Sequence, residues 1–235
     1  MRARFILLVF VALLMLRVNG SGQSAQLPPA SEMKTVGLIG GISWYSTVDY
    51  YRYINEAVND AYGNNTNPPL IVYNMNQQRI RELQAKGQWD EIAALLTQAT
   101  IRLRAGGAQA ILFCANTPHK VYAQVSRKTD LPILHIGDAT GTAIRSSGLK
   151  KVGLIGTRYT MEDRFMVDWL KEHYGIETLP CSARTQSNYR ARVEQRHLQG
   201  REQEVCAPAD GRAPRTRGTR HRFGLHRIPP HYQAA

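Results

Sequence analysis

Several short stretches of this 235-residue chain carry side chains suited to gripping a small anion or moving a proton. Gly40-Gly41-Ile42-Ser43 stands between an apolar run and a helical pattern. There the backbone N–H groups at Gly41 and Ser43 can meet an anion at a helix start. A tight strand-to-helix turn uses the same residues, and the run is not G-x-G-x-x-G, so it does not point to a dinucleotide. Asn116-Thr117 follows another apolar run and offers an amide and a hydroxyl, either of which holds a carboxylate; such pairs also serve turns and caps. His119 has the chemistry of a proton shuttle and equally that of a plain hydrogen-bonding loop histidine. Arg79 can clamp a carboxylate with two N–H groups or stand as a solvated charge. Gly156-Thr157 with Thr160-Met161 repeats the first pattern of strand, glycine, hydroxyl and helix. Two anion-receptive loops in successive halves suggest a small carboxylate held between two lobes.

Cys114 is the thiol nearest these loops, directly before Ala115 and Asn116. Successive side chains of a strand point to opposite faces, so Cys114 is either a core thiol or reaches the loops through a bulge. Cys181 and Cys206 are remote in sequence, and no C-x-x-C pair exists. A disulfide framework and a structural zinc site are therefore not expected, and no metal is assigned.

The elements that must position these residues alternate in type. Short apolar strands are expected at 35–39, 70–73, 110–113, 132–136 and 152–155. Helical spacing marks 46–61, 89–105, 121–128, 138–147 and 161–174, with Asp138 able to cap its helix and Gly175 ending the last one. Strand–helix alternation means an α/β fold, a parallel sheet covered by helices on both faces. Ligands of such sheets bind at the carboxyl ends of the strands, in the loops at 40–47, 74–81, 114–120, 136–140 and 156–161.

A hydrophobic content of 43% is enough for a core and excludes global disorder. The net charge of +12 would suggest nucleic acid, but its distribution argues otherwise. The last 55 residues hold eleven arginines, no lysine and only six Val, Leu, Ile, Met or Phe, so the excess sits in a segment that cannot complete a buried sheet. At the other end, Met1-Arg2-Ala3-Arg4 precedes an unbroken apolar run over 5–16, with small residues before Ser21. This is the pattern of a secretory signal peptide, too short for a stable membrane anchor. Export to the periplasm is expected, with a cytoplasmic location if translation starts at Met33. The expected organisation is a signal peptide over 1–20, a linker over 21–32, a first α/β lobe over 33–147, the start of a second over 148–180, and a basic tail over 181–235.

The residues resemble a known family. Met33-Lys34-Thr35-Val36-Gly37-Leu38-Ile39-Gly40-Gly41-Ile42-Ser43-Trp44 with Ser46-Thr47 is similar to the start of the aspartate/glutamate racemases. Asn116-Thr117-Pro118-His119-Lys120 resembles their second block, and Gly153-Leu154-Ile155-Gly156-Thr157 with Thr160-Met161-Glu162 their third. The resemblance runs from Met33 to about Pro180. It implies two similar doubly wound parallel-sheet lobes with the site between them, a homodimer as an assembly the family adopts, and a small acidic amino acid as substrate. The implied reaction interconverts L- and D-aspartate or glutamate without pyridoxal phosphate or other cofactor. One thiolate removes the Cα proton while a second thiol donates from the opposite face. The carbanion then depends on donors around the carboxylate and on exclusion of water. By resemblance, Asn116, Thr117 and Thr157 hold the substrate's carboxylate or amino group, and Arg79 aligns with an arginine that binds carboxylate in some members.

Two departures matter. The family's first acid/base position is Ala115 here, leaving Cys114 one residue early as the candidate catalytic thiol. The second thiol belongs to a Gly-Cys-Thr-Glu block that is absent. Gly224-Leu225-His226-Arg227-Ile228 can be back-translated so that the next frame gives Gly-Cys-Thr-Glu, which points to a frameshift near 178–181 and an incomplete second lobe. Impaired activity is expected. The alternatives are a non-catalytic small-carboxylate binder and a one-thiol lyase or isomerase. A nucleic-acid role for the tail is not expected.

Overall fold

The computed structural model describes residues 28–180. The expected signal peptide, most of the linker, and the tail over 181–235, for which an altered frame is expected, lie outside the described residues. Four strands form one parallel sheet in the order β2-β1-β3-β4: β1 (Val36–Gly40), β2 (Leu70–Asn74), β3 (Ala110–Phe113) and β4 (Ile133–Leu134). All of β1 and β3 is buried, as expected for central parallel strands covered on both faces. Alternation divides their side chains between two cores. Leu38, Leu112 and Cys114 face α1 (Trp44–Tyr62), where Ile54 meets them. Ile39, Ile111 and Phe113 face α3 (Trp89–Ala105), which presents Ile92, Leu96, Ala99 and Leu103 at helical spacing.

The remaining helices are α2 (Gln77–Ala85), α4 (Tyr122–Ser126), α5 (Ile136–Ser146), α6 (Arg158–Glu162) and α7 (Phe165–Tyr174). A second, two-stranded parallel sheet pairs β5 (Lys151–Leu154) with β6 (Glu177–Pro180). Its core is Ile144, Val152, Met166, Leu170 and Ile176. This is the α/β architecture expected, with a four-stranded parallel sheet followed by a smaller two-stranded one. The seam between them is α5 against α7. Gly137 and Gly141 leave room that a side chain would take from the Trp169 and Tyr174 rings. Asp138 Oδ1 accepts hydrogen bonds from Trp169 Nε1 at 2.8 Å and from the Tyr174 hydroxyl at 3.1 Å.

The structure corrects several element boundaries. The expected loop at 74–81 runs into α2 from Gln77, which Asn76 caps and which buries Ile80 and Leu83. The helix expected over 121–128 is a 3-10 turn, Thr117–Val121, with Pro118 near its start, followed by the short α4. Asp138 does not cap α5. The helix begins earlier, and His135 Nδ1 accepts the Gly137 N–H at 3.0 Å, which frees Asp138 for α7. The single helix expected over 161–174 is α6 and α7, broken at Arg164, whose φ of 57° lies in the left-handed region. β6 was not expected, because Glu177-Thr178-Leu179-Pro180 has no apolar period of its own and is a strand through its pairing with β5.

Candidate ligand site at the strand ends

Three loops of the first lobe meet beyond the carboxyl ends of β1, β2 and β3. Gly41 turns the chain at φ 79°, and its missing Cβ admits the Met75 backbone. The Met75 N–H donates to the Gly40 carbonyl at 3.0 Å, joining the β2 loop to the β1 loop. The Ser46 hydroxyl donates to the Cys114 carbonyl at 2.6 Å, joining the β1 loop to the β3 loop. The Cys114 N–H donates to the Ile39 carbonyl at 3.0 Å, extending the sheet pairing one residue past β3. Gly41, Ser43, Asn116 and Thr117 thus stand on one connected rim.

Several donors there already have partners. The Gly41 N–H, expected to meet an anion, donates to Thr47 Oγ1 at 3.0 Å, and Thr47 Oγ1 donates to the Ser43 carbonyl at 2.9 Å. The loop is therefore closed by a threonine one turn into α1, and Ser43 Oγ caps that helix. Arg79 is the third residue of α2, exposed, with its guanidinium 3.4 Å from Glu91 Oε2. Its carboxylate partner in this structure is Glu91 on α3.

His119 ties the turn that carries Asn116 to the start of α5. The Ile136 N–H donates to His119 Nε2 at 3.2 Å, which fixes Nε2 as the acceptor and Nδ1–H as the donor. Nδ1 lies 3.1 Å from both the Ala115 and Asn116 carbonyl oxygens. The imidazole is a buried staple between the Asn116 turn and the start of α5, packed edge-to-face on Phe113 and on His135. Burial pushes the His119 pKa down to about 4, outweighing the favourable carbonyl contacts. His135, stacked on Trp169 at 3.6 Å, is pushed down to about 2 by burial and by His119 and His173 nearby. Both are neutral at neutral pH, and both ring nitrogens of His119 are engaged by backbone groups, so its role here is structural.

Cys114 is 1% exposed, packed with Leu38, Leu112 and Ile54 beneath α1. Burial pushes its thiol up to about 12. The structure therefore places it in the core, without the bulge that would turn it to the rim. Ala115, next in the chain, is half-buried and carries no acid/base group.

Thr157 sits on the second lobe at the start of α6, exposed, with Oγ1 accepting the Thr160 N–H at 3.4 Å. A Cβ on Gly156 would press on Thr160 as one on Gly40 would press on Thr47, so in both loops a glycine admits a threonine from the following helix. The Thr157 loop is tied to the first lobe by Lys120, whose Nζ lies 2.9 Å from Asp163 Oδ2. The Ser46–Cys114 and Lys120–Asp163 contacts were not legible in the sequence, since their partners lie 68 and 43 residues apart. Among the described residues no group of three His, Cys, Asp or Glu could hold a metal ion, and no helix is long and apolar enough to cross a membrane.

Comparison with known proteins agrees with this architecture. Residues 39–211 match the model of the Asp/Glu/Hydantoin racemase family, beyond the limit near Pro180 expected from the motifs. A proposed Asp/Glu racemase from Yersinia pestis is 41% identical, with a TM-score of 0.66 over 73% of this chain and 75% of that one. An aspartate racemase homologue from Pyrococcus horikoshii is 31% identical, with a TM-score of 0.64 over 72% and 73% of the two chains. The aspartate racemase of Picrophilus torridus, at 20% identity and a TM-score of 0.57 over 71% and 70%, shares the fold.

Proposed function

We propose, from the premise that this chain belongs to the Asp/Glu/Hydantoin racemase family, that it grips a small acidic amino acid through loops at the strand ends. In this reading Asn116 and Thr117 from the first lobe, with Thr157 from the second, supply the polar contacts to the ligand's carboxylate or amino group. The observation that carries it is the connected rim. The Ser46–Cys114 and Met75–Gly40 hydrogen bonds hold the three first-lobe loops together, and Lys120–Asp163 brings the second-lobe loop to them. Donors fixed before the ligand arrives need no reorganisation, which favours a small charged guest.

In the same reading, proton transfer at Cα is impaired. Cofactor-independent racemisation needs a base of matched pKa within reach of the Cα proton. Cys114 has its thiol in the core with a pKa near 12, and Ala115 offers no replacement. This favours binding without turnover. Calorimetric titration of the full chain with L-aspartate and L-glutamate, beside a deuterium-exchange assay at Cα in heavy water, tests both halves. The expected result is binding with no Cα exchange. Absence of binding to either acid overturns the ligand assignment, and measurable exchange or racemisation overturns the impairment.

A further inference from the structure

Lys120 lies in the 3-10 turn that opens with Thr117, and Asp163 follows α6, which opens after Thr157. Their ion pair at 2.9 Å is, among the described residues, the one that joins the first lobe to the second. It is also the least exposed, at 27% and 26%, whereas the others lie within one helix or between groups about half exposed. The Lys120 ammonium also sits 3.9 Å over the Trp89 ring. Tyr159 of α6 packs edge-on against that same ring at 5.3 Å, and its hydroxyl donates to the Gln84 carbonyl at 3.2 Å. One lysine therefore stands where the Thr117 turn, the start of α3 and α6 converge.

We propose that Lys120 is a positioning residue that holds the Thr157 loop at a fixed distance from the Asn116–Thr117 turn, so that donors of both lobes meet one ligand. The inference rests on the ligand assignment proposed above. Its physical basis is the division between clasp and core. α6 contributes none of the apolar residues of the second core, which comes from α5, β5, α7 and Ile176. A five-residue helix is not stable through its own hydrogen bonds, so its placement depends on side-chain anchors. An ammonium that faces a carboxylate and an aromatic ring together, with limited water, is a stronger anchor than an exposed ion pair. Loosening it moves the loop and leaves the two hydrophobic cores intact.

The test uses the full chain with Lys120→Met, Asp163→Asn, the double variant and Lys120→Arg. The readouts are calorimetric affinity for L-aspartate and L-glutamate, hydrogen–deuterium exchange over 156–163, and the thermal midpoint. Lys120→Met and Asp163→Asn should each weaken binding about tenfold, with the double variant no weaker than either, because the two act as one unit. Lys120→Arg, which keeps the cation and offers a planar guanidinium to Trp89, should retain affinity and protection. Exchange over 156–163 should accelerate in the Met and Asn variants with little change in the midpoint. Additive losses, unchanged affinity, or unchanged exchange over 156–163 each overturn the proposal. If the parent chain binds neither acid, the ligand assignment fails by itself. The exchange arm then decides the clasp: acceleration confined to 156–163 supports it, and none refutes it.

Discussion

Acidification from pH 6.5 to 5 should destabilise this protein through His119 before most carboxylates titrate. In the folded chain His119 is neutral down to about pH 4, because burial disfavours the charged ring and outweighs the nearby backbone carbonyls that favour it. In the unfolded chain the imidazole protonates near its ordinary value of about 6.5. Between these values the unfolded state holds the extra proton, so stability is full above pH 6.5 and falls as pH falls toward 4. The slope is about 1.4 kcal/mol per pH unit for one group, which gives a loss of about 2 kcal/mol at pH 5 and about 3 kcal/mol at pH 4. His135 is depressed further and titrates in the same direction over the same window, so the parent should approach two protons of slope. His119→Gln removes one of them while its amide N–H can still reach the Ala115 and Asn116 carbonyls. Urea unfolding of parent and variant at pH 7.5, 6.5, 5.5 and 5.0 measures the difference. The gap in stability should narrow or reverse by about 2 kcal/mol between pH 7.5 and pH 5. Parallel pH profiles, or a His119 ring that titrates near 6.5 by nuclear magnetic resonance in the folded protein, would refute the reasoning.

Three further outcomes follow from the packing. Cys114, with its thiol near 12, should resist iodoacetamide at pH 8 in the folded chain and react after denaturation, as read by peptide mapping; prompt labelling of the native protein would place the thiol at the rim. Cys114→Ala should cost about 1 kcal/mol and leave ligand affinity unchanged. Gly141→Ala should lower stability by about 1–3 kcal/mol, because the new methyl enters space held by the Tyr174 ring, and an unchanged thermal midpoint would contradict the packing of α5 on α7.

The strands and long helices were legible because their signals are local. Ile92, Leu96, Ala99 and Leu103 repeat at helical spacing, and all four are buried in α3. The Gly40-Gly41 turn was legible as a turn, since only a glycine accepts both φ 79° and the Met75 backbone against it. The errors fall where partners distant in sequence decide. Asp138 has every local property of a cap, yet it is drawn to Trp169 and Tyr174, 31 and 36 residues on, while His135 caps the helix. Arg164 breaks a helical pattern by entering the left-handed region, and no glycine announces it. Arg79 keeps its clamp chemistry but finds a carboxylate on the neighbouring helix, whose first turn was read only as a helix start.

The chemistry of the site turns on a single step in register. Leu112 and Cys114 stand two residues apart and face the same core, so the sheet commits the thiol to the α1 side. The next residue is the first one past that commitment, and it is Ala115, whose carbonyl is used to hold His119. A one-residue shift along a strand exchanges faces, so Cys114 is no substitute for a thiol at 115, however near it lies in sequence. Moving it to the rim would require a bulge, which would break the Cys114–Ile39 pairing and displace the carbonyl that holds Ser46. Those are the bonds that align the β1 and β3 loops. Under the proposed ligand assignment, the contacts that would support a grip on a carboxylate also oppose bringing this thiol to the ligand's Cα, so binding and proton transfer would separate along one short strand end.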